Sequence, residues 1–328
     1  MADKDMVVKA MAFTEKVYRD VYPAIQPAQS SLSQAGKVIV ITDATRGLGR
    51  GCAIAFAQAG PAAIVLPGEQ SIDALAETEE EISAFAGDSA TTEVLSIVAK
   101  VLDQSAIESA FERIVAQFGP PHVLVNNAGI ALLGTIDESS IDDFWKVQVG
   151  FAESLRLSPD QAAGLISRQH VNVKGTIIVA KAFLKCIESA PEEQRTILNM
   201  TSVSLQHVPV MLDSYTISKT AIVKFTEFLA AQHPSITTIS FDPGMRPTNT
   251  GDSLRLVKPF LFNTVELASG ATVWLSSGDK KFLSGRYVLA TWDVEELEAR
   301  RQEIVEKNLL TSDLKRGDEP VGEMVIHP

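Results

Sequence analysis

Lys37-Val38-Ile39-Val40-Ile41-Thr42 is followed by Asp43-Ala44-Thr45-Arg46-Gly47-Leu48-Gly49, and then by an alanine-rich run that ends near Ala59. The first stretch is short, apolar and β-branched, which reads as a strand buried on both faces. The second carries glycines where a tight turn needs them, and 47–59 reads as a helix. A glycine-bearing turn between a buried strand and a helix lets backbone N–H groups and the positive helix end approach a pyrophosphate. Taken alone this is a weak signal, because any tight turn needs glycine.

The same alternation continues along the chain. Strands are expected over 37–42, 63–66, 93–98, 122–126, 196–200, 236–241 and 286–289, and helices over 47–59, 72–85, 105–118, 215–232 and 265–276. Apolar strands alternating with amphipathic helices at this spacing predict a parallel sheet covered on both faces, an α/β doubly wound, Rossmann-like fold. No internal repeat or low-complexity linker divides the chain, so a single domain is expected. In such sheets ligands lie at the carboxyl ends of the strands.

Composition narrows the function classes. The chain has 328 residues, 45% of them hydrophobic, which suffices for a full core. Its net charge is −12 and no dense Lys/Arg cluster occurs, so nucleic acid is not an expected partner. Cys52 and Cys186 are the only cysteines and fit a reducing compartment. The polar leader has no secretory character, and no stretch approaches the ~20 apolar residues of a membrane span, so a cytoplasmic location is expected. His122, His170, His233 and His327 lack metal-like spacing with acids or cysteines, and no metal is predicted.

Tyr215-x-x-x-Lys219 is the stretch that carries chemistry. Residues four apart share a helix face, so a phenol and an ammonium can meet over one reacting atom. A free phenol has a pKa of about 10, and a nearby ammonium favours the phenolate, which makes Tyr215 a usable proton donor and acceptor near neutrality. Ser202, upstream, is placed to hydrogen-bond the substrate oxygen. Asn126-Asn127-Ala128-Gly129 ends the fourth strand, where amides can pin the sheet edge and glycine leaves room for a flat ring. Asp242-Pro243-Gly244-Met245-Arg246-Pro247-Thr248 follows the sixth strand and suits a loop that closes over a ligand.

In this order the segments resemble the short-chain dehydrogenase/reductase family, over 36–292. The resemblance implies a catalytic tetrad of Asn172, Ser202, Tyr215 and Lys219: Tyr215 as acid/base, Ser202 orienting the substrate oxygen, Lys219 holding the ribose and lowering the phenol pKa, and Asn172 fixing a water in the proton path. It implies a dinucleotide held by Thr42, Arg46, Gly47, Leu48, Gly49, Asn126, Ala128, Gly129, Tyr215, Lys219, Pro243, Gly244 and Thr248. The leader and the run Tyr287 to Trp292 are similar to fungal members, often found in secondary metabolism. The expected organisation is an N-terminal extension over 1–35, a catalytic domain over 36–292, and a C-terminal helix and tail over 293–328.

Several positions depart from the family pattern. Asp43 stands where relatives usually have glycine, and a like charge beside a diphosphate would cost ~1–3 kcal/mol of binding. Glu69, after the second strand, would repel a 2′-phosphate, whereas Arg46 favours NADP. Lys100 stands where an adenine-contacting aspartate is common. Three readings stay open: drift in a tolerant pocket rim, a weakened or lost cofactor site, and a site in which Arg46 and Lys100 offset Asp43 and Glu69. Trp145 and Asn172 also lie farther apart than in relatives, and deleting 149–169 restores the family spacing. That segment is expected to be an insertion, either a lid-like excursion or a retained intron. It interrupts a helix that in this family helps to build dimers, so a homodimer or homotetramer is a weaker expectation.

The leading expectation is an NAD(P)(H)-dependent oxidoreductase that reduces a carbonyl or oxidises an alcohol of a small apolar metabolite, with NADP ahead of NAD. The alternatives are a non-redox isomerase, dehydratase or cyclase on the same scaffold, and a silent partner subunit. His207 and Trp292 are secondary candidates for contact with substrate; Trp274 and the acidic run 77–81 read as core and as a solvated helix face.

Overall fold

A computed structural model describes residues 6–69, 72–85, 92–131, 134–137, 139–141, 144, 171–188, 190, 193–206, 211–245 and 262–313. Seven strands, β1 (Val38–Ile41), β2 (Ala63–Gly68), β3 (Glu93–Val98), β4 (Val123–Asn126), β5 (Arg195–Met200), β6 (Ile236–Asp242) and β7 (Arg286–Leu289), form one sheet. Its order is β3-β2-β1-β4-β5-β6-β7, and every neighbouring pair is parallel. The winding direction reverses at β1, between β2 and β4, which opens a crevice at the carboxyl ends of β1 and β4.

The strand pattern explains how two cores form. Side chains alternate across a strand, so Ile39 and Ile41 enter one core while Val38 and Val40 enter the other. The first core is closed by α2 (Gly47–Gln58) and α7 (Val265–Leu275), through Phe56, Leu267 and Ala271. The second is closed by α4 (Gln104–Phe118) and α5 (Thr176–Ile187), through Ile107, Phe111, Val179 and Phe183. Asp103 caps α4 by accepting a hydrogen bond from the Ala106 N–H at 3.0 Å. Helices α3 (Ile72–Phe85) and α6 (Asp213–Gln232) complete the layers. At Gly51 a Cβ would lie 2.2 Å from Val265 Cγ1, so the close contact of α2 with α7 depends on glycine.

The leader is packed into the same core as the sheet. After α1 (Met6–Ala10) the chain crosses the end of β7, where Tyr18 N–H donates to Thr291 O at 2.8 Å and the Trp292 indole donates to Met11 O at 3.1 Å. The Tyr22 hydroxyl donates to Trp292 O and accepts from Val294 N–H. Ile25 is wholly buried, and its carbonyl would lie 2.5 Å from a Cβ at Gly270 of α7. Trp292 is thus enclosed by the leader, tilted against Phe13. Short helices α8 (Val294–Ala299) and α9 (Arg301–Glu306) follow it. The acidic run is not simply solvated: Glu81 pairs with Arg50 of α2 at 2.9 Å and Thr78 is wholly buried. Trp274 is core, with Lys280 Nζ 4.3 Å from its ring centre.

Candidate active site

The turn between β1 and α2 is stapled to the end of β4. Thr42 Oγ1 accepts from the N–H groups of Asn127 and Ala128, both at 3.0 Å, and the Asn127 amide donates to Thr42 O at 3.0 Å and Asp43 O at 3.2 Å. Asn127 is not among the residues that the sequence assigns to this site; the doubled amide at 126 and 127 is the signal for it. Asn126 itself turns into the sheet, 3% exposed, and donates to Asn199 on β5 at 2.8 Å, its partner in register.

Asp43 has a φ of 52°, in the left-handed region. That conformation favours glycine, and aspartate is one of the few other residues that tolerate it. The turn therefore keeps the path a glycine would take while carrying a carboxylate. Arg46 Nη2 lies 3.8 Å from Asp43 Oδ2, a partly solvated pair. Beyond it Gly47 has a φ of 55°, Leu48 is buried, and Gly49 packs so tightly that a Cβ would lie 2.3 Å from Asp43 O. Arg46, at the N-cap of α2, makes no side-chain capping hydrogen bond and no acid lies in the first turn, so its N–H groups suit an anion such as a diphosphate.

Helix α6 carries Tyr215 and Lys219 on one face, with Lys219 Nζ 5.7 Å from the centre of the phenol ring. Lys219 is 5% exposed, and its ammonium donates to Met200 O, at the end of β5, at 2.7 Å. Burial lowers its pKa from 10.5 to about 8, against the opposing pull of the Asp242 carboxylate. Asn172 sits in a π-helical turn, Val171–Gly175, that leads into α5. Its amide accepts from Ile130 N–H at 2.8 Å and donates to Ile130 O and Ser218 Oγ, both at 2.9 Å, and Ser218 Oγ donates to Tyr215 O. A Cβ at Gly129 would lie 3.2 Å from Asn172 Oδ1 and 3.4 Å from Lys219 Nζ, so these three positions meet at a floor that glycine leaves bare.

Ser202 follows β5, two residues beyond the carbonyl that holds Lys219, and opens a 3-10 turn, Val203–Gln206. Its Oγ accepts from Ser204 N–H at 3.2 Å. An accepting hydroxyl still has its own proton to donate. Pro243 and Gly244 follow β6; Gly244 has a φ of 79°, and a Cβ there would strike the Asn263 amide. Lys100 lies beside Asp103 at the start of α4. Thr248, His207 and the segment 149–169 lie outside the described residues. Among the described residues no group of three His, Cys, Asp or Glu is arranged to hold a metal, and no helix is long and apolar enough to cross a membrane.

Comparison with known proteins places the chain in a class. The family model for short chain dehydrogenases matches residues 37–257. The chain belongs to the short-chain dehydrogenase/reductase family, a family of oxidoreductases. Among curated relatives it is 30% identical to the short chain dehydrogenase andI of Emericella variicolor, over 91% of this chain and 94% of that one. It is 31% identical to the short chain dehydrogenase pigC of Monascus ruber, over 90% and 92%. It is also 30% identical to the short chain dehydrogenase tazN of Aspergillus terreus over 89% of its own length, but spans only 59% of that protein. In fold it is similar to a short-chain dehydrogenase/reductase from Mycobacterium marinum, with a TM-score of 0.66, 22% identity, and coverage of 80% of this chain and 96% of the other. A candidate NAD(P) dependent gluconate 5-dehydrogenase from Beutenbergia cavernae, solved with NADP at low occupancy, gives a TM-score of 0.65 at 22% identity, over 80% and 98%.

Proposed function

We propose that the protein is an NADP-preferring carbonyl reductase or alcohol dehydrogenase for a small apolar metabolite, with Tyr215 as the acid/base. The observation that carries this reading is the convergence of Gly129, Asn172 and Lys219 beneath Tyr215. The uncapped turn of α2 and the bare floor at Gly129 fit a dinucleotide, with the diphosphate at the N–H groups of 47–49 and the ribose near Lys219.

When bound, the dinucleotide supplies or accepts the hydride. The protein handles the proton. In the reductive direction Tyr215 gives its phenolic proton to the substrate oxygen, and the Lys219 ammonium stabilises the phenolate left behind. Ser202 donates its hydroxyl proton as a hydrogen bond to the same oxygen. Asn172 ties the loop at Ile130 to the first turns of α6 through Ser218, which fixes the height of Tyr215 above the floor. Rigid placement of this kind lowers the barrier by removing the cost of orienting the groups.

An apolar substrate is supported by the rim. Ile136, Ile141 and Met211 are exposed at 72%, 72% and 45%. Their segments are tied together where Gly134 N–H donates to Met211 O at 3.1 Å, just ahead of the helix that carries Tyr215. Arg46, largely exposed, is the group that favours a 2′-phosphate. Cys52 and Cys186, as reduced thiols, suit a cytoplasmic setting. Titration of the purified protein with NADPH and NADH, followed by nucleotide fluorescence, tests the reading. Saturable binding, tighter for NADPH, is the result expected; no binding of either at millimolar concentration overturns it.

A further inference from the structure

The amino end of β1 is fastened to β4 by a side chain. Val38, the first residue of β1, is 2% exposed, and its N–H donates to Nδ1 of His122, the residue before β4, at 3.0 Å. The return bond is ordinary backbone, from His122 N–H to Val38 O at 2.9 Å. On its other edge the ring meets a carboxylate, with Nε2 2.9 Å from Glu193 Oε2. A backbone N–H can only donate, so Nδ1 is the bare nitrogen and Nε2 carries the proton that Glu193 accepts. The ring is thus neutral and in one tautomer. A proton added at Nδ1 would set two donors against each other and leave the buried Val38 N–H without this acceptor, which is costly.

We propose that His122 is an acid-sensitive latch on the central strand pair: neutral, it fastens β1 to β4 at their amino ends, and protonated, it lets go of Val38. The carboxyl ends of the same two strands are stapled by Thr42 and Asn127 and open onto the crevice, so acid loosens the pair from the end opposite the crevice. The surroundings of the ring set the sign. Burial disfavours the imidazolium most, and Glu193, half-exposed, favours it. Arg195 of β5, whose Nη2 lies 3.7 Å from the same Glu193 oxygen, and Lys37, held by Ser276 O at 2.7 Å, disfavour it. Together they hold the histidine below its ordinary 6.5. A base depressed in this way stabilises the fold above 6.5, and that stability is lost as the pH falls from there through the lower folded value, because the unfolded chain then binds more protons.

The test is NMR on the full chain, isotope-labelled at the histidine nitrogens and the backbone amides. The His122 ring should be the Nε2–H tautomer at neutral pH and titrate with a midpoint below 6.5, and the protection of the Val38 amide against hydrogen exchange should fall by about tenfold or more as it does so. An Nδ1–H tautomer, a midpoint at or above 6.5, or Val38 protection unmoved by the titration overturns the proposal. His122→Asn supplies a second readout, since its Oδ1 can accept from Val38 N–H but does not titrate. Between about pH 7.5 and about pH 5 the wild type should lose roughly 2 °C of thermal midpoint beyond what His122→Asn loses. Equal losses contradict the latch. If His122→Asn does not fold, Glu193→Gln replaces it. Removing the carboxylate that favours the imidazolium should move the His122 midpoint further down by about half a unit or more, and an unmoved or raised midpoint overturns the pairing. No nucleotide enters these measurements, so they succeed or fail apart from the NADPH titration.

Discussion

Arg46 Nη2 stands 3.8 Å from Asp43 Oδ2, across a turn in which Asp43 holds a φ of 52°. The backbone follows the course that glycine would take, so the departure at residue 43 is one of charge more than of shape. Two partly solvated groups at this distance interact weakly, and the carboxylate keeps most of its effect on a neighbouring anion. Asp43→Gly should therefore tighten NADPH about tenfold or more. Isothermal titration of the two proteins checks this; an unchanged affinity would mean that the carboxylate lies clear of the diphosphate.

Arg46→Ala should separate the two nucleotides. Removing the guanidinium withdraws the Arg46 charge from Asp43 and takes away the cation suited to a 2′-phosphate. NADPH affinity should fall by about tenfold and NADH affinity by less. Equal losses for both would place Arg46 away from the 2′ position.

Lys219 gives a prediction on stability. Its folded pKa, lowered to about 8, lies below the 10.5 of an unperturbed lysine, so burial of the ammonium costs stability wherever the group is protonated in the fold. The cost is fully present below about pH 8 and is relieved as the pH rises from there towards 10.5, because the unfolded chain then binds more protons than the folded one. Relative to Lys219→Met, the wild type should gain up to ~3 kcal/mol across that window. Urea unfolding of both proteins between about pH 7 and pH 10.5 measures it. A constant difference would contradict the burial of this ammonium.

Gly270 tests the packing of the leader. A Cβ on α7 at this position would lie 2.5 Å from the Ile25 carbonyl, which is backbone and cannot step aside. Gly270→Ala should cost ~1–3 kcal/mol by overpacking and expose the leader to limited proteolysis. Wild-type stability together with an uncut leader would argue against the contact.

The strand and helix order is legible in the sequence because the buried strands are continuous apolar runs and each helix after them has its own apolar stripe. The limits are equally physical. Helix α6 begins at Asp213, two residues before Tyr215, since its first turn is set by local hydrogen bonds and not by apolar spacing. The burial of the leader is not legible, because Met11, Tyr22, Ile25 and Leu32 follow no regular period and find their partners on α7 and past β7 only in three dimensions. Tyr215 and Lys219 stand out because helical spacing alone places them on one face. Val38 and His122 do not, since their meeting depends on the pairing of two strands distant in sequence.

Transfer of deuterium from NADPH labelled at both C4 positions to a panel of small apolar ketones, followed by mass spectrometry, tests the role of Tyr215 most directly. The wild type should yield alcohol carrying one deuterium, and Tyr215→Phe should form it at least ~100-fold more slowly with nucleotide binding retained. Equal labelling rates for the two proteins, or turnover of the ketone to a product without deuterium, would contradict it.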